Sequence, residues 1–158
     1  MRPKKIYVIV GGQYGSEAKG LAVEHMARHN DLSCAVRTGS LNAGHTVYYK
    51  GKPYAMRSIP AAWMNKKAKL IIGVGAYVEP DLLFSEIAMV EKALGESIGH
   101  RLFIDKKAGW HKHEYAEREA GMHERMGSTA HGCGESIRER ILRDKFLLCL
   151  HPAVRLYC

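Results

Sequence analysis

The run Val8-Ile-Val-Gly-Gly-Gln-Tyr-Gly-Ser-Glu-Ala-Lys-Gly20 decides how the chain is read. Apolar residues from Ile6 to Val10 suit a buried parallel strand, and Gly11, Gly12 and Gly15 let the backbone turn sharply and come close to a ligand. A helical pattern resumes near Glu17. The first N–H groups of a helix have no partners within it, so with the helix dipole they favour an anion, and Lys19 adds a cation beside them. Strand, glycine loop and helix together predict a P-loop-like phosphate loop after the first strand. The usual Gly-Lys-Ser/Thr ending is replaced by Ala18-Lys-Gly20, so an ordinary glycine turn fits the loop taken alone equally well.

Outward from this loop the pattern alternates strands and helices. The first helix places Ala18, Leu21, Ala22 and Met26 on one face and stops before Asn30, and Cys34 to Arg37 forms the next strand. That order predicts a right-handed parallel crossover with the glycine loop at the carboxyl edge of the sheet, where open α/β folds bind ligands. A polar loop from Thr38 to Thr46 leads into a hairpin, Val47 to Met56, with Lys50-Gly-Lys-Pro53 at its turn. Ala68 to Ile72 is another strand. Pro80 opens a helix with Leu83, Ile87, Val90 and Leu94 on one stripe and Gly95 as its stop, and Leu102 to Ile104 is one more strand. The predicted fold class is α/β: a mostly parallel sheet of at least four strands with flanking helices.

A chain of 158 residues supports one hydrophobic core. No apolar run approaches the ~20 residues of a membrane span, and Arg2-Pro-Lys-Lys5 leads straight into a strand rather than a signal peptide, so a cytoplasmic protein without membrane contact is expected. Cys34, Cys133, Cys149 and Cys158 show no Cys-x-x-Cys spacing, and reduced thiols are expected. The net charge of +8 is dispersed and lacks interleaved aromatic residues, which argues against nucleic-acid binding.

Two further stretches carry candidate chemistry. His111 and His113 are two apart, which points them to different sides of a helix; a helix from His111 to Arg125 with Tyr115, Glu117 and Arg118 exposed is the plainer reading than a metal site. Gly127 to Gly134 is a second glycine loop, whose hydroxyls and free backbone N–H groups suit a phosphate or an ordinary surface loop. A helix follows from Glu135 to Leu142, with Arg140 and Arg143 three apart. His45, at the mouth of a strand, reads as structural from the residues alone.

Three motifs occur in the order found in the adenylosuccinate synthetases. Gly12-Gln-Tyr-Gly-Ser-Glu-Ala-Lys-Gly20 resembles that family's Gly-Gln-Trp-Gly-Asp-Glu-Gly-Lys-Gly, Asn42-Ala-Gly-His-Thr46 matches its Asn-Ala-Gly-His-Thr, and Gly127-Ser-Thr-Ala-His-Gly-Cys-Gly134 resembles its Gly-Thr-Thr-Gly-Arg-Gly-Ile-Gly. The resemblance covers Ile6 to about Arg143, an amino-terminal portion of a much longer family. It divides the chain into a nucleotide-binding domain over 1–145 and an irregular or frame-shifted tail over 146–158.

The resemblance implies a ligase of purine nucleotide biosynthesis that joins L-aspartate to a 6-oxopurine mononucleotide with hydrolysis of an NTP, GTP or ATP, and Mg²⁺. It implies nucleotide or phosphate binding by Gly12, Gln13, Gly15, Ser16, Glu17, Lys19, Gly20, Asn42, Gly44, His45 and Thr46, with Ser16, His45 and Lys19 catalytic. Ser16 and Gly44 would hold the metal, and Ser128, Thr129 and Arg143 the substrate phosphate, Arg143 reaching across a homodimer. Ser16 replaces the family's catalytic Asp, and a hydroxyl is a poor general base and a weaker metal ligand. The same exchange marks the phage-type 2-aminoadenylosuccinate synthetases, which implies dGMP as substrate, with IMP the alternative. An inactive nucleotide-binding remnant is a third reading.

Overall fold

The computed structural model describes residues 5–13, 17–120, 129–142 and 147–158. Its frame is a helix packed on a small parallel sheet. Helix α2, Pro80–Leu94, begins with Pro at the first helical position, where a missing N–H costs nothing, and ends at Gly95, whose φ of 73° directs its N–H back to the Glu91 carbonyl at 2.8 Å. Leu83, Ile87, Val90 and Leu94 are all buried, the stripe predicted from their spacing. Each such side chain contributes roughly 1.5–3 kcal/mol on burial, which is how a 15-residue helix is held against the sheet.

That sheet joins β1 (Cys34–Arg37), β4 (Lys69–Ile72) and β6 (Leu102–Ile104) in the order β1-β4-β6, all parallel. Leu70 lies opposite both Ala35 and Leu102, and Ile72 opposite Arg37 and Ile104. Leu70, Ile72, Leu102 and Ile104 enter the core, whereas Cys34, Val36 and Phe103 on the alternate face are exposed. The hairpin β2 (His45–Tyr49) and β3 (Lys52–Met56) turns through Lys50 and Gly51, with φ of 50° and 77°. Positive φ at both turn residues matches the right-handed twist of the flanking strands. Trp63 is buried beneath this hairpin, with Tyr49 and Tyr54 edge-on to its ring at 5.2 Å each. A second parallel pair, β5 (Tyr77–Val78) and β7 (Gly109–Trp110), completes the strands.

Several expectations are corrected. Residues 6–10 form no strand: Ile6, Val8 and Val10 are 90%, 77% and 76% exposed. A parallel strand is stable when neighbours pair its edges and cover its faces, and among the described residues nothing does so for this run. The predicted crossover through the glycine loop is therefore not formed, and the main sheet has three parallel members among the described residues rather than four. Helix α1, Lys19–His29, turns Gly20, Val23 and Ala27 inward, leaving Leu21 and Ala22 exposed. The close approach of Gly20 to β2 fixes that rotation.

Helix α3 runs over Glu114–Arg118, while residues 121–125 of the expected helix lie outside the described residues; Tyr115 is buried rather than exposed, with its ring edge-on to His111. Helix α4, Cys133–Ile141, starts two residues earlier than expected. The segment after residue 146 is packed: Leu148 donates its N–H to the Ala108 carbonyl at 2.8 Å, and Leu148 and Val154 join the core. Two 3₁₀ turns, Leu148–Leu150 and Arg155–Tyr157, bring Cys149 and Cys158 together in a disulfide, so those two thiols are not free. Cys34 and Cys133 are free.

Candidate phosphate site

Gly20 sets the geometry of the first loop. A Cβ there would stand 2.9 Å from the His45 Cβ and 3.0 Å from the Thr46 carbonyl, so only glycine lets α1 lie this close to the start of β2. The consequence is that Lys19 and His45, 26 positions apart, act on each other: burial first, then the positive charges of Arg37 and Lys19, push the His45 pKa below its usual value. His45 is thus a neutral imidazole at neutral pH, able to donate one ring N–H and accept at the other.

Arg37, at the end of β1, is buried and directs its guanidinium into the Thr38–Thr46 loop, donating to the Ala43 carbonyl at 2.5 Å. Its Nε has no partner among the described residues. Burial lowers its pKa, opposed by the charge of Glu86. Glu86 sits on the buried face of α2 and accepts the N–H groups of Arg57, Ser58 and Ile59 at 2.6–3.2 Å. Four hydrogen bonds satisfy a carboxylate that burial would otherwise penalise heavily. Through them α2 fixes the strand end that follows β3.

Upstream of α1 the glycine loop folds over a carboxylate. Glu17 Oε1 accepts from the Gly12 N–H at 2.7 Å and the Gln13 N–H at 2.6 Å, while Oε2 lies 2.6 Å from Lys19 Nζ. Lys19, together with those N–H groups, holds the Glu17 pKa below the ordinary carboxylate range. Ala18, where the family pattern has Gly, enters the helix with φ 55°. Gly15 and Ser16 lie outside the described residues.

The second glycine loop ends at Gly132, with φ 74°, where α4 begins. The Gly132 and Gly134 N–H groups are not free. Buried Glu119 takes those of Gly132 at 2.8 Å, Gly134 at 2.7 Å and Glu135 at 3.2 Å. His111 Nδ1 shares a 2.6 Å hydrogen bond with Ser136 Oγ behind the same turn, and burial pushes the His111 pKa down. Thr129 is exposed, while Ser128 and Arg143 lie outside the described residues.

The structure therefore brings the first two sequence motifs together, Lys19 and Gly20 against His45 and Thr46. Asn42 and Gly44 lie exposed on the intervening loop. The third motif adjoins the second at Cys133: burial raises its thiol pKa, and the nearby backbone of Asn42 and Leu41 opposes that shift. Two surface clefts of about 390 and 420 Å³ occur elsewhere, and neither includes a residue of the glycine loops. Sequence reasoning missed Arg37, Glu86, Glu119 and Cys133. Glu86 alone carried a signal, as a charge among Leu83, Ile87 and Val90 on the apolar stripe.

Fold and loops define an α/β protein with glycine-bordered loops gathered at the mouth of α1. The chain belongs to the adenylosuccinate synthetase family, whose model matches residues 8–150. It is 35% identical over 140 residues to the adenylosuccinate synthetase of Pyrococcus sp. (strain ST700) and 36% identical over 140 residues to that of Pyrococcus horikoshii, covering 86% of this chain and 40% of each relative. Two solved structures share the fold. One is the cyanophage S-2L succinoaminodeoxyadenylate synthetase bound to dGMP and dATP, with TM-score 0.74 and 26% identity, covering 90% of this chain and 40% of that one. The other is the fully ligated adenylosuccinate synthetase of Plasmodium falciparum, with TM-score 0.72 and 24% identity, covering 84% and 32%. The chain thus spans about 40% of the length of the curated relatives it matches.

Proposed function

We infer that this chain carries the phosphate-handling portion of a ligase that joins L-aspartate to C6 of a 6-oxopurine mononucleotide, coupled to hydrolysis of GTP or ATP. The observation that supports it most is the convergence of the Gly12 and Gln13 N–H groups and Lys19 on a single anionic group, with His45 adjoining across Gly20. In the proposed chemistry the 6-oxygen is phosphorylated and the aspartate amine displaces the phosphate. Loop N–H groups and Lys19 stabilise charge on the transferred phosphoryl, while His45 donates to the 6-oxygen or its phosphate. A neutral His45 retains an N–H for that purpose at pH 7.

Ser16 and the Gly44 carbonyl would hold Mg²⁺. Hard oxygen donors of this kind fit an ion that keeps most of its shell in water and substrate phosphates, and the ion would neutralise charge between those phosphates. Ser128 and Thr129 would take the purine monophosphate, with Arg143 contributed across a homodimer in the cytoplasm. Ser16 in place of the family's Asp, and the dGMP-bound cyanophage relative, favour dGMP over IMP. A second reading is a nucleotide-binding remnant without turnover, which Ser16 in place of the family's catalytic Asp supports.

Calorimetric titration with GTP, ATP, dGMP and IMP in the presence of Mg²⁺, with and without Lys19→Ala, tests the site. Equal affinity for both forms removes Lys19 from it. Succinylated product from aspartate and either purine at enzymatic rates excludes the remnant. In a full-length relative carrying the same loop, Ser16→Asp is expected to shift kcat/KM from dGMP toward IMP, and an unchanged preference separates Ser16 from guanine selection.

A further inference from the structure

The anion cradle of the first loop is filled by the chain itself. Two backbone N–H groups and an ammonium group surround the Glu17 carboxylate, the donor set that an anionic phosphoryl oxygen would use. The fit is tight. A Cβ on Gly11 would lie 2.1 Å from Glu17 Oε2 and 2.9 Å from Lys19 Nζ, so the carboxylate rests directly on the loop backbone, in the volume a bound phosphate needs.

Resting on the phosphate-loop reading above, the geometry points to Glu17 as an internal ligand, a tethered carboxylate that occupies the cradle until a nucleotide phosphate displaces it and takes over Lys19. Among the described residues its hydrogen bonds are all local, spanning residues 12 to 19. Its side chain is 22% exposed, so leaving the cradle opens no part of the core. Displacement exchanges one set of charge-assisted hydrogen bonds for another and frees a carboxylate to water. An occupied cradle lowers apparent affinity by the fraction of molecules in which it is closed. Glu17 is a carboxylate at neutral pH, and Lys19 lowers its pKa further, so that competitor stays charged.

Sulfate, a dianion throughout the neutral range, is a suitable probe, titrated at constant pH and ionic strength into the whole chain and into Glu17→Gln, Glu17→Ala and Lys19→Ala. Circular dichroism establishes that each variant is folded. Both Glu17 variants are expected to bind sulfate about 3–10-fold more tightly than the parent. Lys19→Ala is expected to bind more weakly. In the unaltered chain, sulfate should shift the Gly12 and Gln13 amide resonances as their acceptor changes.

Unchanged or weakened binding in both Glu17 variants, with Lys19→Ala still weaker, overturns the internal ligand and leaves the phosphate loop standing. Sulfate affinity indifferent to Lys19→Ala in every background overturns both. Should a Glu17 variant fail to fold, the amide shifts decide: Gly12 and Gln13 resonances that stay fixed at saturating sulfate overturn the proposal.

Discussion

Each of the two glycine loops closes on a glutamate, and the two closures differ in kind. Glu17 reaches its N–H partners from within its own loop, lies beside a lysine and keeps 22% of its side chain exposed. Glu119 reaches across 13 residues to Gly132, is 4% exposed, and meets the helix start by accepting three backbone N–H groups. A carboxylate at a helix N-terminus suits the dipole in both cases. The difference lies in what removal would expose. Withdrawing Glu17 hands its donors to water or to another anion, whereas withdrawing Glu119 strands the buried Gly132 N–H. The first arrangement is a replaceable ligand and the second a structural rivet.

The largest effect that sharpens this contrast is expected from Glu119→Ala. The Gly132 N–H, buried and orphaned, costs about 1–3 kcal/mol when no water reaches it, so a loss of about 1–3 kcal/mol is expected in denaturant unfolding, against no measurable change for Glu17→Ala. Equal losses would dissolve the distinction.

Lys19→Ala should act the other way round. It is expected to weaken GTP or ATP binding by about 1–3 kcal/mol in calorimetry while leaving the melting temperature nearly unchanged.

A smaller effect separates the histidines behind the loops. His45 faces Arg37 and Lys19; His111 faces Glu119, His113 and His131, and the pKa of each is lowered chiefly by burial. Below about pH 6.5 the unfolded chain therefore binds more protons than the folded one. Stability is retained above that pH and falls as pH drops through the window toward the lowered folded values. His45→Asn and His111→Asn should each flatten part of this fall in melting temperature. A profile unchanged by both would assign the pH dependence elsewhere.

The smallest effect concerns two alanines. Ala18 and Ala130 adopt φ of 55° and 51°, both where the family pattern has Gly. Ala18→Gly and Ala130→Gly are each expected to add roughly 0.5–1 kcal/mol by relieving the left-handed conformation, read from denaturant midpoints.

How much of this was legible depended on the range of the cause. Spacing along α2 revealed its buried stripe because Leu83, Ile87, Val90 and Leu94 report a local period. The Lys50-Gly51 turn was legible for the same reason. Ile6 to Val10 read as a strand because composition describes what a segment suits, while pairing depends on neighbours that the segment does not encode. Tyr115 read as exposed because its burial comes from packing around α4, some 20 residues later. At the candidate site the family motifs pointed to Lys19, Gly20 and His45, and Gly20 lies against His45 where two of those motifs meet. Glu119 left no trace, since its partners are backbone groups 13–16 residues away. The Cys149–Cys158 pairing arises from two consecutive 3₁₀ turns, which have no periodic signature of their own.

The uncovered run from Ile6 to Val10 also bears on the colloidal behaviour of the chain. An apolar, β-branched segment unpaired among the described residues is a template for intermolecular strand addition, as are the exposed Val36 and Phe103 on the open sheet face. Light scattering should therefore rise with protein concentration, and a single lysine at Val8, breaking the apolar run with a charge, should suppress that rise without touching either glutamate.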